Sequence, residues 1–259
     1  MPSSRAAVMM NDAQEVMQTQ NVLITGAGRR IGRQLALAAA QAGANVAIHY
    51  HTSKESAEQT AQEIRSLGRK AVILCADLAQ VDQLPLLIEQ AERELGHLNA
   101  LVNNASIFEP LDWETTTLSD WERHLQVNLT APFILSQAFA RALGTEASGR
   151  IINILDWRAL RPGPDHLPYT ISKAALAALT RSLAQAFAPH ITVNGLALGA
   201  ILPPVYQNSS KNLADLLANV PAARWANLDE VTAAFVFLLC GPTYITGEIL
   251  HIDGGRHLV

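Results

Sequence analysis

From Asn21 onward, short runs of aliphatic and β-branched residues alternate with longer, alanine-rich stretches whose apolar residues recur every three to four positions. The runs Val22–Thr25, Val46–Tyr50, Ala71–Cys75, Ala100–Val102, Ile151–Leu155, Ile191–Leu196 and Ile249–Ile252 predict strands. Several of them lack polar alternation, as expected of strands covered on both faces. Between them the spacing predicts helices over Gly32–Ala42, Lys54–Leu67, Leu84–Leu95, Leu118–Leu143, Tyr169–Phe187 and Asp229–Leu239. Such alternation implies an α/β fold: a Rossmann-type, doubly wound sheet of about seven parallel strands flanked by helices. No repeat, charge block or linker divides residues 21–259, so one domain is expected. Residues 1–20 lack a long apolar stretch and contain Asp12 and Glu15. They predict a mobile leader rather than a secretory signal. A long irregular stretch at about 199–225, with Pro203, Pro204 and Tyr206, is expected to form a substrate loop.

Composition narrows the function classes. With 49% hydrophobic and 16% charged residues, the chain is not generally disordered. Lysine plus arginine number 19 and aspartate plus glutamate 23, a formal charge of −4, which argues against a nucleic-acid surface. No apolar run approaches the roughly 18–20 residues that span a bilayer, so a soluble, cytoplasmic protein is expected. Cys75 and Cys240 each sit in an apolar run and predict buried, reduced thiols rather than a disulfide or a metal site. Trp113, Trp121, Trp157 and Trp225 predict buried packing, with Trp157 the best candidate for lining a pocket. Neither a G-x-S-x-G elbow nor H-E-x-x-H occurs, so hydrolase chemistry has no footing.

The first predicted strand runs into Thr25-Gly26-Ala27-Gly28-Arg29-Arg30-Ile31-Gly32. A glycine-rich turn between strand and helix lets a pyrophosphate approach bare backbone amides at a positive helix end. The second strand ends in His49-Tyr50-His51-Thr52-Ser53, with no carboxylate before Glu55. A carboxylate there would grip a ribose 2′-hydroxyl, whereas His51, Thr52, Ser53 and Arg29 can donate to a 2′-phosphate. NADP(H) is therefore favoured over NAD(H). Asp77-Leu78, after the third strand, is suited to contact the adenine. Metal binding by His49 and His51 is not expected, because no third ligand stands at a suitable spacing.

Tyr169 and Lys173 lie 173 − 169 = 4 residues apart and project from one helical face. An adjacent ammonium would favour the phenolate, and lowering a tyrosine pKa by three units takes about 4 kcal/mol. Asn103-Asn104-Ala105, Asn128 and the glycine turn accompany this pair. Together these residues resemble the short-chain dehydrogenase/reductase family over Asn21 to Val259. The resemblance implies that Asn128, Tyr169 and Lys173 are catalytic, with Asn128 supporting a water-linked proton relay. It also implies cofactor contacts at Gly26, Arg29, Arg30, Ile31, Asn104, Ala105, Ser106, Tyr169, Lys173 and Gly199, and tetramers formed through the helices at Leu118–Leu143 and Tyr169–Phe187.

Three positions depart from the usual family pattern. Asp156 stands where most members carry serine, Arg30 where most carry glycine, and Leu198-Gly199 where Pro-Gly is usual. With His49-Tyr50-His51-Thr52-Ser53, Asn103-Asn104-Ala105-Ser106-Ile107-Phe108 and Asp253-Gly254-Gly255-Arg256-His257-Leu258, the first two departures resemble the pteridine reductase branch. That resemblance implies a pterin or folate substrate held by Arg30, Ser106, Phe108, Asp156 and Tyr169, with Phe108 stacked on the flat ring. The chemistry agrees: an ionised Asp156 would repel an alkoxide forming from a ketone, but suits proton delivery to the nitrogen of a C=N bond. A short-chain carbonyl reductase acting on a 3-oxoacyl or sugar ketone and a non-catalytic NADP-binding scaffold are the alternatives.

Overall fold

The computed structural model describes residues 20–145, 147–202, 217 and 219–259. The leader at 1–19 and most of the substrate loop, including Pro203, Pro204 and Tyr206, lie outside the described residues. Strands β1 (Asn21–Ile24), β2 (Asn45–Tyr50), β3 (Ala71–Cys75), β4 (Ala100–Asn103), β5 (Gly149–Asp156), β6 (Ile191–Leu198) and β7 (Ile249–Ile252) form one 7-stranded sheet. Its order is β3-β2-β1-β4-β5-β6-β7, every neighbouring pair being parallel. The expected doubly wound sheet is thus observed. Its winding reverses between β1 and β4, which opens a crevice beyond their carboxyl ends.

Helices cover both faces, which explains why the strands read as continuous apolar runs. On one face α1 (Arg30–Gln41), α2 (Lys54–Ser66) and α7 (Leu228–Cys240) bury Leu35, Ile64 and Phe235 against Val22, Ile24 and Ile48. On the other, α3 (Leu84–Leu95), α5 (Ala131–Leu143) and α6 (Leu167–Ala186) bury Ile88, Leu135, Phe139 and Leu183 against Leu23, Leu101 and Ile151. Fully burying each such side chain stabilises the fold by roughly 1.5–3 kcal/mol.

The helix expected over Leu118–Leu143 is interrupted. It comprises α4 (Leu118–Leu125), a π-wound turn at Gln126–Thr130, and α5. Pro132 explains the break: it has no N–H to return to the carbonyl of Asn128, and its ring crowds that carbonyl. The thiol expectation also needs correction. Cys75 is exposed and Cys240 half-buried, because β3 is an edge strand whose last residue passes beyond the covering helices, and Cys240 closes α7. Trp113 is likewise exposed, at 76%, in the loop before α4 rather than packed in the core.

Candidate active site at the carboxyl edge of the sheet

The glycine turn joins β1 to α1. Gly26 adopts a φ of 63°, and a Cβ on it would stand 3.0 Å from the Cα of Ala105. A Cβ on Gly32 would stand 2.2 Å from the Gly26 carbonyl oxygen and 2.5 Å from Asn104 Nδ2. Both positions need glycine for close approach. The turn is held by β4: Thr25 Oγ1 accepts from the amides of Asn104 (2.9 Å) and Ala105 (3.0 Å), while Asn104 Nδ2 donates to the carbonyls of Thr25 (2.8 Å) and Gly26 (3.2 Å). Asn104 and Ala105 therefore buttress the turn through amides already committed to Thr25. Arg30 has a φ of 51°, left-handed backbone that glycine adopts freely and that costs other residues roughly 1–2 kcal/mol. That strain accounts for the usual glycine there.

The residues fit a phosphate-bearing cofactor. Helix α1 has Arg29 at its N-cap, with no side-chain cap and no acidic residue in its first turn. Its positive end is open to an anion. Arg29, Arg30, His51 and Thr52 are exposed around it and Ser53 is half-buried; Ile31 is partly buried at the start of α1. Asp77 accepts from the amide of Ala79 (3.0 Å), and Leu78 is buried beside it.

His49 and Tyr50 do not face this anion site with their side chains. His49 is only 2% exposed; its Nδ1 accepts from the Gly26 amide (3.1 Å), which makes Nε2 the donor to the Ala76 carbonyl (3.0 Å). Burial pushes its pKa from 6.5 to about 4, against the hydrogen bond to Ala76. A neutral imidazole locked into the sheet positions the turn and offers no charge to a phosphate. Tyr50 is buried, and burial followed by the neighbouring Cys75 raises its pKa. Every residue of β2 after Asn45 is buried on the two-sided sheet, so the side chains of His49 and Tyr50 serve the sheet and the turn.

The state of His49 has a consequence for stability. Between pH 6.5 and 4 the unfolded chain protonates this histidine while the native protein does not, so stability is full above the upper value and is lost as pH falls toward the lower. The total is about 3 kcal/mol, with no further contribution below the folded pKa. Urea unfolding followed across this range should show the loss in the native protein and a flatter profile in His49→Gln. Equal profiles would remove His49 as its source.

The second group of candidate residues gathers at the ends of β5, β6 and β7. Asp156 ends β5 opposite Leu198, which pairs in turn with Ile252. Tyr169 and Lys173 sit on the buried face of α6, which is tied to the sheet by Asn103 Nδ2 to Asn153 Oδ1 (2.8 Å) and Asn153 Nδ2 to Thr180 Oγ1 (2.9 Å). The Tyr169 hydroxyl donates to Asp156 Oδ2 at 3.1 Å, and Asp156 Oδ1 accepts from the Arg158 amide at 2.9 Å. Lys173 Nζ donates to the Ile154 carbonyl (2.7 Å) and lies 5.8 Å from the Tyr169 ring centre.

The expected pKa lowering of Tyr169 is not found in this arrangement. Burial, and then the charge and hydrogen bond of Asp156, push the phenol well above its ordinary value. Burial in turn lowers Lys173 to about 8, opposed by Asp156. The ammonium is anchored to a carbonyl rather than to the phenol oxygen, so the carboxylate dominates. Tyr169 is a neutral phenol that holds its proton.

Asn128, fully buried in the π-wound turn, accepts from the Ile107 amide (2.9 Å) and donates to the Ile107 carbonyl (3.0 Å) and Ser172 Oγ (3.0 Å). Its side chain thereby braces the segment that carries Ser106 and Phe108. Ser106 is exposed, its hydroxyl donating to the Ile107 carbonyl (3.3 Å). Phe108 meets the Tyr169 ring edge-on, with centres 4.6 Å apart. Gly199 donates its amide to the Ile252 carbonyl (2.9 Å), and a Cβ there would stand 2.5 Å from Asp253 Cα; close packing of β6 against β7 thus requires it.

Four residues absent from the sequence-based set join this group. Arg158 is buried and donates to Asp165 Oδ2 (2.8 Å), and its Nη1 is 3.6 Å from Asp156 Oδ1. Burial opposes its charge, but Asp165 and Asp156 outweigh this and raise its pKa. His166, bonded to Asp165 (3.0 Å), stacks on Phe108 with ring centres 4.1 Å apart and planes 7° apart. Arg256 stacks on Trp157 at 4.3 Å. Their sequence signal was slight: Arg158 follows Asp156 by two positions, and Asp165-His166 precede the Tyr169 helix.

Among the described residues, no group of three His, Cys, Asp or Glu side chains gathers to hold a metal, and no helix is long and apolar enough to cross a membrane. The family profile described as short chain dehydrogenase matches residues 20–214. A 3-oxoacyl-[acyl-carrier-protein] reductase of Synechocystis sp. is 32% identical over 242 residues, covering 92% of this chain and 97% of that protein. Among solved structures, FolM alternative dihydrofolate reductase 1 from Brucella suis, in complex with NADP, is similar with a TM-score of 0.88 and 35% identity, over 94% of this chain and 97% of that one. A blue fluorescent protein from a metagenomic library, in complex with NADPH, is similar with a TM-score of 0.85 and 32% identity, over 92% of this chain and 97% of that one.

Proposed function

The chain belongs to the short-chain dehydrogenase family, and on that footing we propose that it is an NADPH-dependent reductase of dihydropterins such as dihydrobiopterin, dihydromonapterin or dihydrofolate. The observation that carries this reading is the 3.1 Å hydrogen bond from the Tyr169 hydroxyl to Asp156. A carboxylate beside the acid group disfavours an acceptor whose oxygen gains negative charge, and suits one whose nitrogen gains a proton.

The turn from Gly26 to Ile31, with Arg29, Arg30, His51 and Thr52 around it, would hold the cofactor phosphates, and Lys173 would reach the nicotinamide ribose. When bound, the cofactor supplies the hydride. Tyr169 holds the proton destined for the substrate nitrogen, and Asp156 orients the phenol and leads the replacement proton to it. Arg158 offsets the negative charge of Asp156. Phe108, one face of which His166 covers, would stack on the flat substrate ring, and Ser106 and Arg30 would bind polar edges of substrate and cofactor. We extend the proposal to a homotetramer formed through 118–143 and α6, whose outer faces leave Leu118, Phe133 and Ile171 exposed.

The Synechocystis relative favours a second reading, reduction of a 3-oxoacyl or other ketone. Steady-state NADPH oxidation with dihydrobiopterin, dihydrofolate and a panel of ketones separates the two. The proposal predicts turnover of the dihydropterins, and turnover confined to ketones would refute it.

A further inference from the structure

The carboxyl-terminal tail brings a second guanidinium to the site. Asp253, 4% exposed, accepts from the amides of Gly255 and His257 (both 2.9 Å) and meets His257 Nδ1 at 2.7 Å. This folds Arg256–Leu258 into a single 3-10 turn. His257 turns back to stack on His251, with ring centres 4.1 Å apart, while Arg256 reaches the opposite neighbour, Trp157. Trp157 carries Arg158 on its ring as well, at 4.8 Å. Two guanidiniums thus share one indole directly after Asp156.

Neither cation is fully used. Arg158 is about nine-tenths buried, yet its Nε has no hydrogen-bond partner among the described residues. Leaving such a donor unpaired is unfavourable unless a ligand satisfies it. Arg256 makes no side-chain hydrogen bond or ion pair among the described residues, so its planar fork of five donors is held by the indole alone. Burial first, and then repulsion from Arg158, lowers its pKa, against the attraction of Asp156, Asp165 and Asp253. An oxyanion would relieve both deficits at once.

We propose that Arg256, seated on Trp157 beside Arg158, is a specificity-determining residue that binds an oxyanion on the side chain of the pterin substrate. This rests on the dihydropterin reading above and adds that pterins with an anionic tail are preferred over those with a neutral polyol tail. A carboxylate, as in dihydrofolate, and a phosphate ester, as in dihydroneopterin monophosphate, present the same chemistry and form separate arms of the test.

The experiment compares KM and kcat for dihydrofolate, dihydroneopterin monophosphate and dihydrobiopterin in the native enzyme, Arg256→Gln and Arg256→Lys, with NADPH binding by each variant as the check on folding. Arg256→Gln should raise KM for at least one anionic substrate about ten-fold more than KM for dihydrobiopterin, with kcat falling less than two-fold. Arg256→Lys, which keeps the charge but loses the fork, should recover part of that difference. An increase in one anionic arm alone identifies the tail as carboxylate or phosphate. Equal KM changes for all three substrates, or none, would overturn the assignment. Native enzyme that turns over no pterin would overturn the parent reading instead, through the native arm alone.

Discussion

Tyr169→Phe lowers kcat for a dihydropterin about a thousand-fold while NADPH binds within two-fold of its native affinity. The phenol is the group that holds a proton at Asp156, and burial together with that carboxylate keeps it neutral throughout the physiological range. Phenylalanine preserves the ring and its edge contact with Phe108 but carries nothing to donate. Losing a positioned proton donor costs about 10²–10⁴ in rate, or roughly 3–5 kcal/mol of the barrier. Stopped-flow oxidation of NADPH with saturating dihydrobiopterin measures it, and a fluorescence titration with NADPH reports binding separately. Undiminished turnover would remove Tyr169 from proton delivery.

Gly32→Ala raises the Kd for NADPH at least ten-fold and lowers stability by about 1–3 kcal/mol. A methyl group there would stand 2.2 Å from the carbonyl of Gly26, a backbone atom, so the turn itself must move. Movement also breaks the bonds by which Asn104 and His49 set the turn. The same titration, with thermal unfolding alongside, reads both effects. Native affinity in this variant would mean that the glycine turn does not cradle the cofactor.

The strands were legible because helices cover both faces of the sheet, so that burial leaves apolar runs such as Val22–Ile24. The same two-sidedness hid the role of His49. With the strand buried after Asn45, no polar alternation separates a structural imidazole from one facing a ligand. The π-wound turn at Asn128 could have been found from Pro132, four residues on, but the apolar periodicity continues through it. Asp156, Tyr169 and Lys173 lie close enough in the chain for their spacing to suggest a shared site. Arg158 and Arg256 do not: 98 residues separate them, and only the folding of the tail by Asp253 brings both to Trp157. The pKa balance of Tyr169 was equally out of reach, since it depends on which charged neighbour, Asp156 or Lys173, stands closer to the phenol oxygen.

Under the dihydropterin proposal, the carboxylate beside the phenol selects a nitrogen rather than an oxygen as the proton acceptor. The most direct test is the ratio of kcat/KM for dihydrobiopterin to that for a 3-oxoacyl thioester, measured in the native enzyme and in Asp156→Ser at constant NADPH. Serine supplies the neutral hydroxyl that an alkoxide needs and removes the charge that repels it. This ratio should fall at least a hundred-fold, with pterin turnover lost and ketone turnover retained or increased. A ratio unchanged by the substitution would contradict it.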